Sequence, residues 1–368
     1  MEIVSKHKLI CYSKKYFLFS AGTRLYLADA KADSQCDISF EKLRPLGDLP
    51  IGSAKRFLGK FRLFARGLRL EPRCGIFVDD STALVSYHGA IYRVDCDSCS
   101  IDSEHEFRPG MNNPLNFVKI SGQKEFTDGI YYGEYFLNHG GERVRIFRRK
   151  PNGQWHTVYT FAPGQVYHIH GIIPDAASAC VYILTGDKDA ESGIFVTYDD
   201  FKTVTPIVTG RQAFRACVAL PVEGGMLYTT DTPLEENYLY HLDFNTKEIT
   251  PVMVIDGPSI YGRTISDYEF VFSTSVEPDS RIEGLKYEFT YKLGPGVKNK
   301  NSHLYYCLWD GNTAHCKEIF AATKDILPMG AGQFGTMMFP EGDVYDGLYV
   351  TCQALRKYDN KTIKFSLD

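Results

Sequence analysis

His168 and His170 sit two residues apart in the apolar run VYHIHGII. On a strand, residues i and i+2 leave the same face, so the two imidazoles are expected side by side. Such a pair can clamp a substrate, move a proton, or hold a divalent metal once a third ligand arrives from elsewhere. The sequence does not place that third ligand. The plainer expectation is one histidine hydrogen-bonded in an interior channel and the other packed under a loop.

Carboxylates supply the next candidates. Glu134 in YYGEYF precedes Tyr135, and a tyrosine activated by a glutamate can replace the carboxylate nucleophile of a glycosidase. Strand neighbours face opposite sides, so Glu134 would instead pair with a tyrosine of another unit, such as Tyr261. Asp187 in LTGD and Asp231 in YTTD close equivalent strands, where an aspartate caps a turn or enters a site. TPLEEN adds Glu235, Glu236 and Asn237 on a loop.

Arginines complete the set, because a guanidinium in an interior channel needs a carboxylate or an anionic ligand. Arg66, Arg69, Arg215 and Arg263 fall on strand-like segments, and Arg215 and Arg263 open units as His168 does. All three would then face one axis and form a mouth for an acidic sugar. The expected assignment is catalysis by members of Glu134, His168, His170 and Asp187. Arg66, Arg69, Arg215, Asp231, Glu236, Tyr261 and Arg263 bind substrate, with no cofactor beyond an optional divalent metal.

The elements that must position these residues are strands. Short β-rich runs recur, such as YFLFSAG then RLYLAD and CGIFVDD then TALVSYHG, and no long helical period occurs. Units of about 45 residues repeat, each carrying four strands. They open near residues 15, 61, 115, 166, 211, 258 and 328. The expectation is therefore an all-β chain forming one β-propeller of seven four-stranded blades over residues 1–368. Stacked β-sandwiches fit the strand spacing equally well, and the unit count decides against them. HKLICYS is expected to close the ring beside TIKFSLD, and a long loop over about 277–302 to cross one face.

Composition agrees. Of 368 residues, 14% are aromatic, with 24 Tyr and 24 Phe, as strands prefer. A net charge of −4 shows no basic bias, which argues against nucleic acid. No apolar run reaches membrane-spanning length and no secretory leader is evident, so a cytoplasmic location is expected. The 10 cysteines lie mostly in apolar strands and are expected as buried thiols, and Cys96 and Cys99 have no second CxxC to complete a zinc site.

The segment GIFVTYDDFKTVTPI resembles the Asp-box turn S-x-D-x-G-x-T-W of BNR-repeat, sialidase-like propellers, with Asp199 and Thr203 at its Asp and Thr. Phe201 and Thr205 replace its Gly and Trp, while RRKPNGQWHTVY keeps Gly153 and Trp155. From about 129 to 245, the segments GEYF, HIHGI, TGD, FRA and TDTPLEENYLYHLD resemble a family of BNR-type propellers described as glycosyl hydrolases and found near cell-surface polysaccharide genes. The resemblance implies a propeller and a carbohydrate partner. The F/Y-R-I-P arginine of true sialidases has no counterpart in FRLFARG, which leaves an uncharged or differently charged glycan open.

Two functions follow as expectations. One is a hydrolase- or lyase-type enzyme acting on an acidic oligosaccharide or polysaccharide at the channel mouth. The other is a non-catalytic glycan-binding or protein-interaction propeller, of which the WD40 type is disfavoured by the absence of GH…WD signatures and a total of only 2 Trp.

Overall fold

A computed structural model describes residues 1–30, 43–342 and 347–366. These residues form seven antiparallel sheets of four strands each. In each sheet the strands follow one another outward from an innermost strand in chain order, except in blade 7, whose outermost strand is the N-terminal one. Successive innermost strands are Lys8–Tyr12, Gly75–Phe77, Val118–Ile120, His168–Asp175, Ala216–Val222, Tyr261–Ser266 and Thr336–Met338, which open blades 1 to 7. The molecule is a seven-bladed β-propeller.

Ring closure differs from the expectation. Glu2–Ser5, not HKLICYS, pairs with Thr362–Phe365 as the outer strand of blade 7. Lys8–Tyr12 opens blade 1, so that blade begins before residue 15. Burial explains the exchange: every residue of Lys8–Tyr12 is buried, as an inner strand flanked by two blades must be, whereas Glu2 and Ile3 are exposed and suit an edge. Tyr12, Phe17 and Tyr349 pack across the seam, with ring centroids 5.2 to 5.6 Å apart. Burying each such side chain contributes about 1.5–3 kcal/mol.

Blade 2 opens at Gly75 and not near residue 61. FRLFARG is helical over Arg62–Gly67, after a first short helix at Ser53–Leu58. Its apolar residues Phe61, Phe64, Ala65 and Leu68 recur at three-and-four spacing, a helical period easily read as a strand in so short a run. Arg66 anchors this insert by pairing with Asp325 and donating to the carbonyl of Gly332.

The long excursion of blade 6, between Glu269–Ser273 and Asn301–Trp309, lies against blade 5 and the segment leading into blade 7. Gly296 donates to the carbonyl of Pro233 and accepts from Asn237 Nδ2 at 3.1 Å. A Cβ at residue 296 would lie 2.0 Å from the carbonyl oxygen of Glu235, so only glycine permits this approach. The neighbouring outer strands of blade 6 are joined by a Cys307–Cys316 disulfide, correcting the expectation of thiols there. Cys96 and Cys99 are free. No helix among the described residues is long and apolar enough to cross a membrane.

Candidate functional site

Inner strands begin at one end of the channel, and the loops closing each second strand reach the same end. That geometry gathers polar side chains from several blades at one mouth. His168 and His170 lead the inner strand of blade 4, and both are buried, at 2% and 1% exposure. Each donates from Nδ1 to a backbone carbonyl, His168 to Phe136 at 3.1 Å and His170 to Ala216 at 3.0 Å. Those bonds to blades 3 and 5 fix the orientation of both rings, with each Nε2 turned toward Asp187. The two Nε2 atoms are 2.9 Å apart, and Asp187 Oδ1 lies 3.3 Å from the first and 3.1 Å from the second.

Asp187 follows the second strand of blade 4 and precedes a short 3-10 turn over Asp189–Glu191. Its Oδ1 also receives Arg215 Nη2 at 2.9 Å, and the same nitrogen stands 3.5 Å from Asp231 Oδ2. The thiol of Cys217 donates to Asp231 Oδ2 at 3.3 Å. Burial lowers the pKa of His168 and opposes ionisation of Asp187. Arg215 and His168 overcome that opposition and hold the Asp187 carboxyl well below the usual carboxylate range. Gly186 makes this packing feasible, since a Cβ there would meet His170 Cε1 at 2.5 Å and Arg215 Cγ at 3.0 Å.

Glu277, at the start of the blade 6 excursion, is buried and accepts a hydrogen bond from Ser275 at 2.6 Å. Burial, with Asp231 close by, pushes its carboxyl up to about 8, so it is protonated at neutral pH. Asp231 Oδ1 is buried without a hydrogen-bond partner among the described residues.

Below the mouth lies an axial cavity of about 80 Å³, lined by Lys8, Arg73, Cys217, Tyr261 and Glu341 among others. The Arg73 guanidinium rests over the Tyr135 ring, 5.3 Å from its centroid. It forms no ion pair among the described residues, and its Nε has no hydrogen-bond partner there. Lys8 Nζ donates to the Pro72 carbonyl at 2.8 Å, and burial lowers its pKa to about 8. Tyr135 stacks on His168 with centroids 4.1 Å apart, linking the cavity to the histidines.

The residues expected from sequence therefore separate. His168, His170, Asp187, Arg215 and Asp231 converge, and Tyr261 lines the cavity. Glu134 does not join them, nor does it meet Tyr261: its buried carboxylate takes Arg145 at 2.7 Å and Arg108 at 3.6 Å, because its side chain leaves the strand opposite to Tyr135. Arg263 does not share the mouth either. It points toward the far end of the channel, donating to Tyr12 Oη at 3.0 Å and to the Pro340 carbonyl at 2.7 Å.

Arg66 and Arg69 belong to the helical insert, not to strands, and Arg66 is consumed by Asp325. Arg69 is exposed in a left-handed turn, φ 52°. Glu236 is exposed on the loop that follows the second strand of blade 5, where Tyr238 donates to it and Lys298 lies 3.5 Å away, and it does not reach the His168–Asp187 cluster. Sequence reasoning missed Arg73, Lys8 and Glu277. Arg73 immediately precedes the apolar start CGIF of blade 2, and Glu277 occupies the oversized loop, the two positions where a signal existed.

Asp199 accepts from the Thr203 amide at 2.9 Å and hydroxyl at 2.8 Å, closing the link between the outer strands of blade 4.

No described protein family matches the chain, and no curated protein does. Among solved structures, a chain of the mitotic checkpoint complex is similar with a TM-score of 0.52 and 9% identity, covering 99% of this chain and 92% of that one. The AfRom2 CNH domain is similar with a TM-score of 0.52 and 7% identity, covering 100% and 97%. At such identities the likeness is one of fold alone, a full-length propeller ring.

Proposed function

We propose that this propeller is a carbohydrate-active enzyme that cleaves an acidic glycan at the mouth of its channel by acid–base chemistry. The observation that carries the reading is Arg73, a guanidinium with no carboxylate partner among the described residues, beside the buried Lys8 ammonium on the same cavity wall. The one carboxyl on the same cavity wall, Glu341, is pushed by burial toward its neutral form, so the two cations favour an anionic occupant, and a planar guanidinium suits a sugar carboxylate. Tyr261 lines the same cavity and offers an aromatic surface to a pyranose.

Glu277 and Asp231 supply the acid and the base. Glu277 is held protonated and can donate to a leaving oxygen. Asp231 is faced by Arg215, and its unpartnered Oδ1 can accept a proton from water. A protonated acid paired with a carboxylate base supports hydrolysis. His168, His170 and Asp187 position Arg215 and through it Asp231.

Incubation with a panel of uronate-containing oligosaccharides tests the reading. Hydrolysis yields new reducing ends without ultraviolet absorbance, elimination yields an absorbing unsaturated uronate, and both disappear in Glu277→Gln. Binding without product identifies a glycan-binding propeller, and no binding removes the glycan reading.

A further inference from the structure

We infer that His168, His170 and Asp187 bind one divalent first-row transition cation. The inference goes beyond the glycan reading and stands on ligand geometry. Three acceptor atoms, His168 Nε2, His170 Nε2 and Asp187 Oδ1, form a triangle with edges of 2.9, 3.1 and 3.3 Å. Both Nδ1 positions are spent on backbone carbonyls, which turns both Nε2 atoms toward one another and toward Asp187.

A single proton bridges one edge of that triangle, whereas a metal serves all three corners. A cation about 2.0–2.1 Å from each atom would subtend ligand angles of about 90° to about 107° across these edges, between octahedral and tetrahedral values. The supporting shell is the kind that metal sites require. Each histidine gives its other N–H to a carbonyl, and the carboxylate accepts from Arg215 at 2.9 Å. Two imidazoles and one carboxylate on one side leave the other positions open, as in sites that bind Zn, Mn, Fe or Co. The Asp187 side chain is 32% exposed, so the open side faces the mouth.

Titration of the chelator-treated protein with Co(II) and Zn(II), followed by visible absorption, calorimetry and elemental analysis, tests the site without any sugar. Its outcome is thus separate from that of the glycan reading. One equivalent should bind. His170→Ala should abolish binding, and Asp187→Asn should weaken it by about tenfold or more while leaving the circular dichroism unchanged. No stoichiometric binding, which would mean a shared proton occupies the triangle, overturns the inference. So does binding that both variants retain.

A different surface supports a second inference: we propose that the helical insert between blades 1 and 2 docks on an anionic lipid bilayer. Residues 53–69 read SAKRFLGKFRLFARGLR, with no acidic residue. Arg62 and Arg66 tie the insert to the propeller through Glu71, Asp359 and Asp325. Lys55, Arg56, Lys60 and Arg69 are exposed and form no ion pair among the described residues. Phe57, Phe61, Leu63, Phe64 and Leu68 are exposed beside them, the three rings in a chain with centroids 5.7 and 6.4 Å apart.

Contiguous aromatic and aliphatic side chains bordered by free cations match an interface of acyl chains beneath anionic headgroups. Co-sedimentation with phosphatidylcholine vesicles, with and without phosphatidylglycerol, reads this directly. Binding should require phosphatidylglycerol, fall at high salt, and drop by about tenfold or more in a Phe57→Ser, Phe61→Ser, Phe64→Ser variant of unchanged melting temperature. Absence of sedimentation with the anionic vesicles, or equal sedimentation of the variant, overturns it and turns the patch toward a protein partner.

Discussion

Arg215 Nη2 lies 2.9 Å from Asp187 Oδ1 and so ties blade 5 to blade 4 across the channel mouth. The same guanidinium faces Asp231, leaving one cation to serve two carboxylates in a largely buried setting. Removing one partner of a buried ion pair strands the rest. Arg215→Met should therefore destabilise the protein by about 3–5 kcal/mol, and Arg215→Lys by less. Urea unfolding of the three proteins checks the order.

Glu134 separates structural from functional carboxylates. Its clamp on Arg145 and Arg108 holds the start of the blade 3 hairpin, and nothing places it against substrate. Glu134→Gln should cost about 1–3 kcal/mol by weakening charge-assisted bonds. Glycan affinity, measured by calorimetry well below the melting temperature, should not change.

Glu277 makes stability depend on pH. It is faced by Asp231, Arg215, Asp187, Tyr287 and the Ser275 hydroxyl. Its folded pKa of about 8 lies above the ordinary 4.5, so folding favours the protonated acid. That contribution is complete below about pH 4.5 and is lost as pH rises through about 8. Stability measured between these limits should fall with pH from this group, and Glu277→Gln should flatten the profile.

Gly186 is the closest steric constraint on the histidines. A methyl group there would press on His170 and Arg215, so Gly186→Ala should displace both. Cobalt binding should weaken more than global stability does, and parallel absorption and melting measurements compare the two.

Ring closure depends on a short strand. Deleting residues 1–5 removes the partner of Thr362–Phe365 and exposes an edge. With a few backbone hydrogen bonds lost at about 1 kcal/mol each, the deletion should cost roughly 3 kcal/mol, read as a lower melting temperature.

The blades were legible where apolar strands alternate with Gly and Asp turns, as in ACVYILTGD and GIFVTYDD of blade 4. They were less so at the first two openings. Lys8 begins an inner strand with a charge that only the folded cavity explains, and FRLFARG is too short for its period to separate helix from strand. At the site, the spacing of His168 and His170 gave their common direction, and Asp187 and Arg215 were visible as polar groups beside strand ends. Their convergence on one oxygen depends on the pitch between blades 4 and 5, which no local pattern encodes. Arg73 and Glu277 acquire meaning only from what surrounds them, one a guanidinium without a carboxylate and the other a carboxyl among carboxylates.

The most direct measurement of the central claim is the melting temperature of wild type and Arg73→Gln with uronate oligosaccharides and with the same oligosaccharides after reduction of their carboxyl groups. A ligand at a hundred times its dissociation constant adds about 2.7 kcal/mol. The account predicts a rise for wild type with an acidic sugar, little with its reduced counterpart, and none for Arg73→Gln. Equal shifts with acidic and reduced sugars, or a shift that Arg73→Gln retains, would contradict it.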